Sequence, residues 1–186
     1  MGLSFRTTHI LAGVASAIVV LAAIAVTWTP SAGAGVIAPQ KVCKNVSGFG
    51  NKAQARKSML CFTNYARKRK GLARYRFDSR LNTASGKKAG DILRCDEFSH
   101  EACGRPFQYW IDRSGYNGCA IGENIAWGSG NLGTSRQIFK AWMNSPGHRS
   151  AILSGDYRRI GIGLKAGSLS GVSGARVWVQ NFGAPC

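Results

Sequence analysis

The chain has 186 residues, 25 Lys plus Arg against 8 Asp plus Glu, and a formal net charge of +17. That length suits one domain of roughly 100–200 residues and leaves no room for two with a linker. With 45% hydrophobic and 10% aromatic residues, and glycines in no period of three, disordered and collagen-like chains are excluded.

In chain order, Arg6 and His9 precede an uncharged run over residues 10–28, and Ala32 and Ala34 then supply an A-x-A pattern. The pattern reads as an export signal cleaved after Ala34. The alternative is an uncleaved membrane anchor through residues 10–28, a run of 19 residues that is just long enough to span a bilayer. Either way, the remainder of the chain is expected outside the cytoplasm, secreted or held on the outer face of the membrane. Residues 35–50 read as a lead-in and 51–186 as the domain proper.

Residues 51–70 predict a helix, since Ala55, Met59, Phe62 and Ala66 recur at three- and four-residue spacing before Gly71. Asp78 is suited to cap a second helix reaching Leu93, with Leu81, Ala84, Lys88 and Ile92 along it. A loop is expected over 94–105, then a short helix over 107–113 behind Pro106. The glycine-rich stretch 116–133 shows no helical period and reads as irregular, packed by Ile121, Ile125 and Trp127, with Gly122 and Gly128 as turn or close-packing positions. Thr134 can cap a helix that halts at Pro146, and 149–153 suggest a helical turn. Residues 159–165 and 176–182 read as two strands joined by a long Gly/Ser-rich loop. Helices first and strands later indicate an α+β fold.

All six cysteines (Cys43, Cys61, Cys95, Cys103, Cys119, Cys186) come after the expected cleavage point. In an exported domain an even number most simply makes three disulfides, and six cysteines allow 15 pairings. Export removes only Arg6, so +16 of the charge remains. Lys52, Arg56, Lys57, Arg67, Lys68 and Arg69 should flank the apolar stripe of the first helix as a solvated basic face. Such a surface attracts anionic lipid, glycan or cell-wall polymer. Nucleic acid fits poorly with export, and no motif for it is present.

Chemistry has few residues to draw on. After export the histidines are His100 and His148, and Glu123 sits with Asn124 among glycine and apolar residues. Two imidazoles and a carboxylate could hold a divalent ion such as zinc, with His100 and His148 as ligands, or act as a general base and its orienter. Alternatively, Glu123 accepts backbone hydrogen bonds and all three groups are structural. No nucleophile elbow surrounds Ser145.

Seven pieces in order carry a resemblance: Asn64-x-x-Arg67-x-x-x-Gly71-Leu72; Asp78-x-x-Leu81-x-x-Ala84; Phe98-Ser99-His100; Gly122-Glu123-Asn124-Ile125-Ala126; Trp142-Met143-x-Ser145-Pro146-Gly147-His148-Arg149; Ile160-Gly161-Ile162-Gly163; and Trp178-Val179-Gln180-Asn181-Phe182-Gly183. Together they resemble the CAP superfamily (cysteine-rich secretory proteins, antigen 5, pathogenesis-related 1; SCP-like domains), in its bacterial exported branch. The resemblance implies a three-layer α-β-α sandwich with a groove carrying His100, Glu123 and His148. Eukaryotic members have two histidines and two glutamates in that groove; here Ser145 stands at the second glutamate's place. The family's activities are diverse, including sterol and lipid binding, signalling and claimed proteolysis. Three functions are expected from it: an exported binding module using the groove and basic surface, a metal-assisted hydrolase built on His100, His148 and Glu123, or a structural or defensive surface protein. The shortage of acids favours binding over catalysis.

Overall fold

A computed structural model describes residues 35–44 and 51–186. Residues 1–34, on which the export signal or anchor falls, and 45–50 of the lead-in lie outside the described residues. Among the described residues no helix is long and apolar enough to cross a membrane.

Helix α1 spans Lys52–Arg69, and its first turn is closed by the Asn51 side chain accepting from the Gln54 N–H at 3.0 Å. Ala55, Met59, Phe62 and Ala66 form its buried stripe, and the chain leaves the helix where Gly71 takes a φ of +70°. The expected basic face needs one correction: Arg67 is 1% exposed. Its guanidinium donates to the carbonyls of Ala73 (2.7 Å), Ile152 (2.9 Å) and Ser154 (2.8 Å) and lies 3.5 Å from the centre of the Tyr75 ring. It joins α1 to later elements and contributes nothing to the solvated charge.

A two-residue strand, β1 (Arg76–Phe77), leads into α2 (Ser79–Arg94). The Asp78 carboxylate accepts from the N–H groups of Arg80 and Leu81 at 2.9 and 3.1 Å, the expected cap. Helix α3 covers Tyr109–Arg113, two residues later than Pro106 suggested. Strand β2 (Ala120–Gly128) comes next, then α4 (Ser135–Asn144), α5 (Pro146–Leu153), β3 (Arg159–Leu169) and β4 (Val172–Ala184). Pro146 does more than stop α4: it opens α5 at a position where a missing N–H costs nothing.

The strands form one sheet in the order β1-β3-β4-β2, with β1 parallel to β3 and the other pairs antiparallel. Alternation sends Ile160, Ile162, Leu164, Trp178 and Phe182 into a core with α1, α4 and α5. Val177, Val179 and Ile125 point the other way and pack with Ala89 and Ile92 of α2. Leu81, Ala84 and Ile111 extend that second layer through α2 and α3. The result is the expected α-β-α sandwich.

Two sequence expectations are corrected. The stretch 116–133 contains the nine-residue strand β2, paired along its length with β4. Its odd positions, Ile121, Glu123, Ile125 and Trp127, have the period of a strand, but a carboxylate in the apolar series and the surrounding glycines masked it. Likewise, no long loop joins β3 and β4. Both strands run on through the Gly/Ser-rich segment to a tight turn in which Ser170 and Gly171 take φ of +50° and +76°. Such paired positive φ values match the twist of a hairpin.

The disulfides pair Cys43 with Cys61, Cys95 with Cys103, and Cys119 with Cys186. They fasten the lead-in to α1, close the loop after α2, and tie the approach to β2 to the last residue.

Candidate functional site

The sheet register builds the site. Glu123 of β2 stands opposite Asn181 of β4, and Asn124 opposite Gln180. Neighbouring residues on a strand face opposite sides, so these two polar pairs lie on the two faces of the sheet at its β2 edge.

On the α2 face the Glu123 side chain is 1% exposed and has partners for both oxygens. Oε1 lies 2.9 Å from His100 Nδ1. With the Asn181 amide oxygen accepting from the Ser85 N–H (3.2 Å), its nitrogen donates to Oε2 (3.1 Å). These partners are side chains, which corrects the expectation of backbone amides. Lys88 lies beneath, 1% exposed, and donates through Nζ to the His100 carbonyl. The His100 side chain itself is 49% exposed. A buried carboxylate thus orients, through Nδ1, an imidazole that is half open to solvent and keeps Nε2 out of the pair.

On the other face Asn124 donates to the His148 carbonyl (3.1 Å) and to Gln180 Oε1 (3.3 Å). Gln180 Nε2 donates to Thr63 Oγ1, and that hydroxyl to the Met59 carbonyl, both at 2.9 Å. One buried relay therefore connects α1, β4, β2 and the start of α5. His148 Nδ1 pairs with Ser145 Oγ at 2.8 Å, and its ring lies 6.5 Å from that of Trp142. His100 and His148 thus reach the same strand edge from opposite layers.

Burial raises the Glu123 pKa above its ordinary 4.5, although the His100 hydrogen bond and the Lys88 charge pull the other way. Burial lowers that of His148 below 6.5, and the charge of His100 adds to the effect. The two groups give opposite pH slopes. Folded His148 binds a proton less readily than the unfolded chain, so its stabilisation is full above 6.5 and is lost as pH falls below that value. Folded Glu123 holds its proton more readily, so stability declines as pH rises from 4.5 through its raised value. Urea midpoints between about pH 4 and pH 8 should therefore show His148→Gln losing the decline on the acid side and Glu123→Gln losing the opposing slope. A wild-type profile unchanged by either substitution would rule this coupling out.

The Nδ1 hydrogen bonds of His100 and His148 leave each Nε2 out of these pairs, the arrangement in which a ligating histidine is commonly held, whereas both oxygens of Glu123 are taken by donors and offer no third ligand. Among the described residues no group of three or more His, Cys, Asp or Glu side chains is placed to hold a metal ion. Sequence reasoning located His100, Glu123, Asn124, Ser145 and His148, but did not recognise Lys88, Ser85, Gln180, Asn181 or Thr63 as their partners. The available signal was Gln180-Asn181, a polar pair inside the otherwise apolar run 177–184 of β4.

Comparison with known proteins agrees with this architecture. Residues 60–182 match the model of the CAP, cysteine-rich secretory protein, family. The chain belongs to the CAP family. The uncharacterized protein YkwD of Bacillus subtilis (strain 168) is 32% identical over 128 residues, which are 68% of this chain and 46% of that protein. The uncharacterized membrane protein YlbC of the same organism is 31% identical over 111 residues, 58% of this chain and 31% of that one. The chain thus spans less than half the length of these two relatives. Among solved structures, an extracellular SCP-domain protein of Bacillus anthracis superposes with a TM-score of 0.62 at 21% identity, covering 70% of this chain and 40% of that one. An outer surface protein of Borrelia burgdorferi superposes with a TM-score of 0.63 at 20% identity, covering 73% and 96%. At such identities the structures speak for the shared CAP fold.

Proposed function

We propose that this CAP-domain protein is an exported binding module that captures anionic envelope material by electrostatic attraction. The supporting observation is the distribution of charge. Every one of the eight acids lies at or after Asp78, whereas residues 35–77 hold eleven Lys and Arg. Arg67 apart, those that line α1 and β1 stand at or near the surface. Such a field raises the local concentration of an anionic partner and speeds its capture. The apolar run over 10–28, the A-x-A pattern and the disulfides support an extracellular setting. Extracellular and surface placement of the two structural relatives is consistent with it. In this reading the His100–Glu123 pair at the β2 edge is a polar rim, and its exposed imidazole can donate to or accept from a bound ligand.

Co-sedimentation with cell-wall fragments and with phosphatidylglycerol vesicles tests the proposal. Binding should weaken by about tenfold or more as salt rises from about 0.05 to about 0.5 M, because exposed charges are screened over distances of a few ångströms at the higher value. Binding that does not change across the series would remove the electrostatic basis.

A further inference from the structure

We propose that two cationic grooves meeting at Arg74 form one track for a linear phosphodiester polyanion, of the kind made by repeating polyol phosphates. The inference rests on the anionic-binding reading above and assigns it a place and a ligand class.

The first groove, about 720 Å³, runs along the C-terminal half of α1. Leu60, Tyr65 and Val42 give it an apolar wall, and Lys57, Lys68, Arg69 and Arg74 supply its charge. The second, about 620 Å³, is lined by Arg74, Arg76, Arg158 and Arg159, with Ala73 and Pro185. Arg74 belongs to both, and among the described residues no carboxylate lines either. Asp156, the acid nearest in sequence to Arg158, accepts from the Ser154 hydroxyl instead.

The second groove carries an unbalanced cost. Arg76 and Arg159 are register partners on adjacent strands, and like charges opposite one another destabilise a sheet. Within the described residues neither Arg74 nor Arg76 has a side-chain hydrogen bond or ion pair, while Arg158 uses its guanidinium on the carbonyls of Gly155 and Tyr157. Among the described residues no carboxylate forms an ion pair with these guanidiniums, so the group is open to an external counter-charge.

The chemistry selects the ligand. A guanidinium fork matches phosphate oxygens in pairs, stays charged at every physiological pH and is weakly hydrated. One free phosphate would reach one groove; a chain of them can occupy both through the shared Arg74. A membrane surface is less well matched, since among the described residues Val42 is the sole exposed large apolar side chain on these walls and bilayer insertion draws on several. Single-stranded nucleic acid would require stacking platforms, and among the described residues Tyr65 is the one aromatic lining the grooves.

The test titrates the full-length oxidised protein with fluorescent poly(glycerol phosphate), beside inorganic phosphate, phosphatidylglycerol vesicles and single-stranded DNA. R74E/R76E and K68E/R69E, one pair in each groove, should each weaken polymer binding by about tenfold or more. K140E/K165E, the same charge change at exposed lysines elsewhere, should stay within about twofold of wild type. Thermal unfolding identifies any variant that fails to fold, and R74Q then serves as the milder change. Equal losses in all three double variants, or tighter binding to vesicles or DNA than to the polymer, would overturn the track. A wild-type protein that sediments with wall fragments or vesicles yet ignores the polymer overturns the track alone. One that binds none of them overturns the anionic-binding reading as well.

Discussion

Replacing Cys119 and Cys186 by serine should lower the unfolding free energy by about 4 kcal/mol, whereas the Cys95→Ser, Cys103→Ser pair should cost about 2.5 kcal/mol. The two bridges close loops of very different length, with sequence separations of 67 and 8 residues. A cross-link removes more freedom from the unfolded chain when it spans more residues, and the difference scales with the logarithm of the loop length. The longer bridge also has a structural duty. Cys119 precedes β2, and its N–H donates to the Ala184 carbonyl at 3.0 Å, at the far end of β4. Strand β2 is an edge strand held to the sheet by β4 alone, and it carries Glu123 and Asn124. Fraying there would loosen the His100 and His148 contacts before the core opens. Urea unfolding without reductant gives both free energies, and amide exchange at β2 reports the local effect. Equal losses in the two double variants would contradict the loop-length account.

The two long N-terminal helices were legible in the sequence because local signals agree with one another: an apolar stripe at helical spacing, the Asp78 cap, and Gly71 at the exit. The three-layer arrangement was legible through the ordered motifs, and so were the five candidate site residues. What was hidden depends on long-range pairing. β2 escaped notice because Glu123 occupies an apolar position of a period-two series, and that carboxylate is tolerated because Asn181, 58 positions later, stands opposite it and His100 pairs with its other oxygen. Charge misled in a similar way. Arg67, expected on the solvated face, lies on a buried helix face where backbone carbonyls satisfy it; Lys88, read along α2 beside Leu81, Ala84 and Ile92, is held in the same way. Composition counts such cations as surface, and tertiary structure removes them from it. The site and the basic grooves are thus distinct in origin: the first is made by sheet register, the second by a cation-rich connector that emerges from α1 and joins the β1 edge.

Gly161→Ala should destabilise the fold by about 3 kcal/mol or more, while Gly90→Ala should stabilise it by up to about 1 kcal/mol. In the motif Ile160-Gly161-Ile162-Gly163 the isoleucines fill the core under α1 and α4, and the glycines face α2. A Cβ on Gly161 would lie 2.0 Å from the Leu81 carbonyl carbon and 2.1 Å from the Asn82 nitrogen. One on Gly163 would lie 2.2 Å from the Ser85 carbonyl oxygen. These obstacles are helix backbone, with no flexible side-chain end to swing aside. To restore van der Waals contact α2 must withdraw by roughly an ångström, and interiors packed at crystal density lose contact energy throughout when a helix moves that far. The withdrawal would also separate Ser85 and Lys88 from Asn181 and His100, so Glu123 would lose its enclosure along with the stability of the sheet. Gly90 lies in α2 itself with nothing within 4 Å of its added Cβ, so there alanine contributes its helix preference and little else. Thermal unfolding of the two variants should move the midpoint in opposite directions. If Gly161→Ala were neutral, α2 would not be seated against the strand, and the close approach that positions Ser85 beside Asn181 would have to be abandoned.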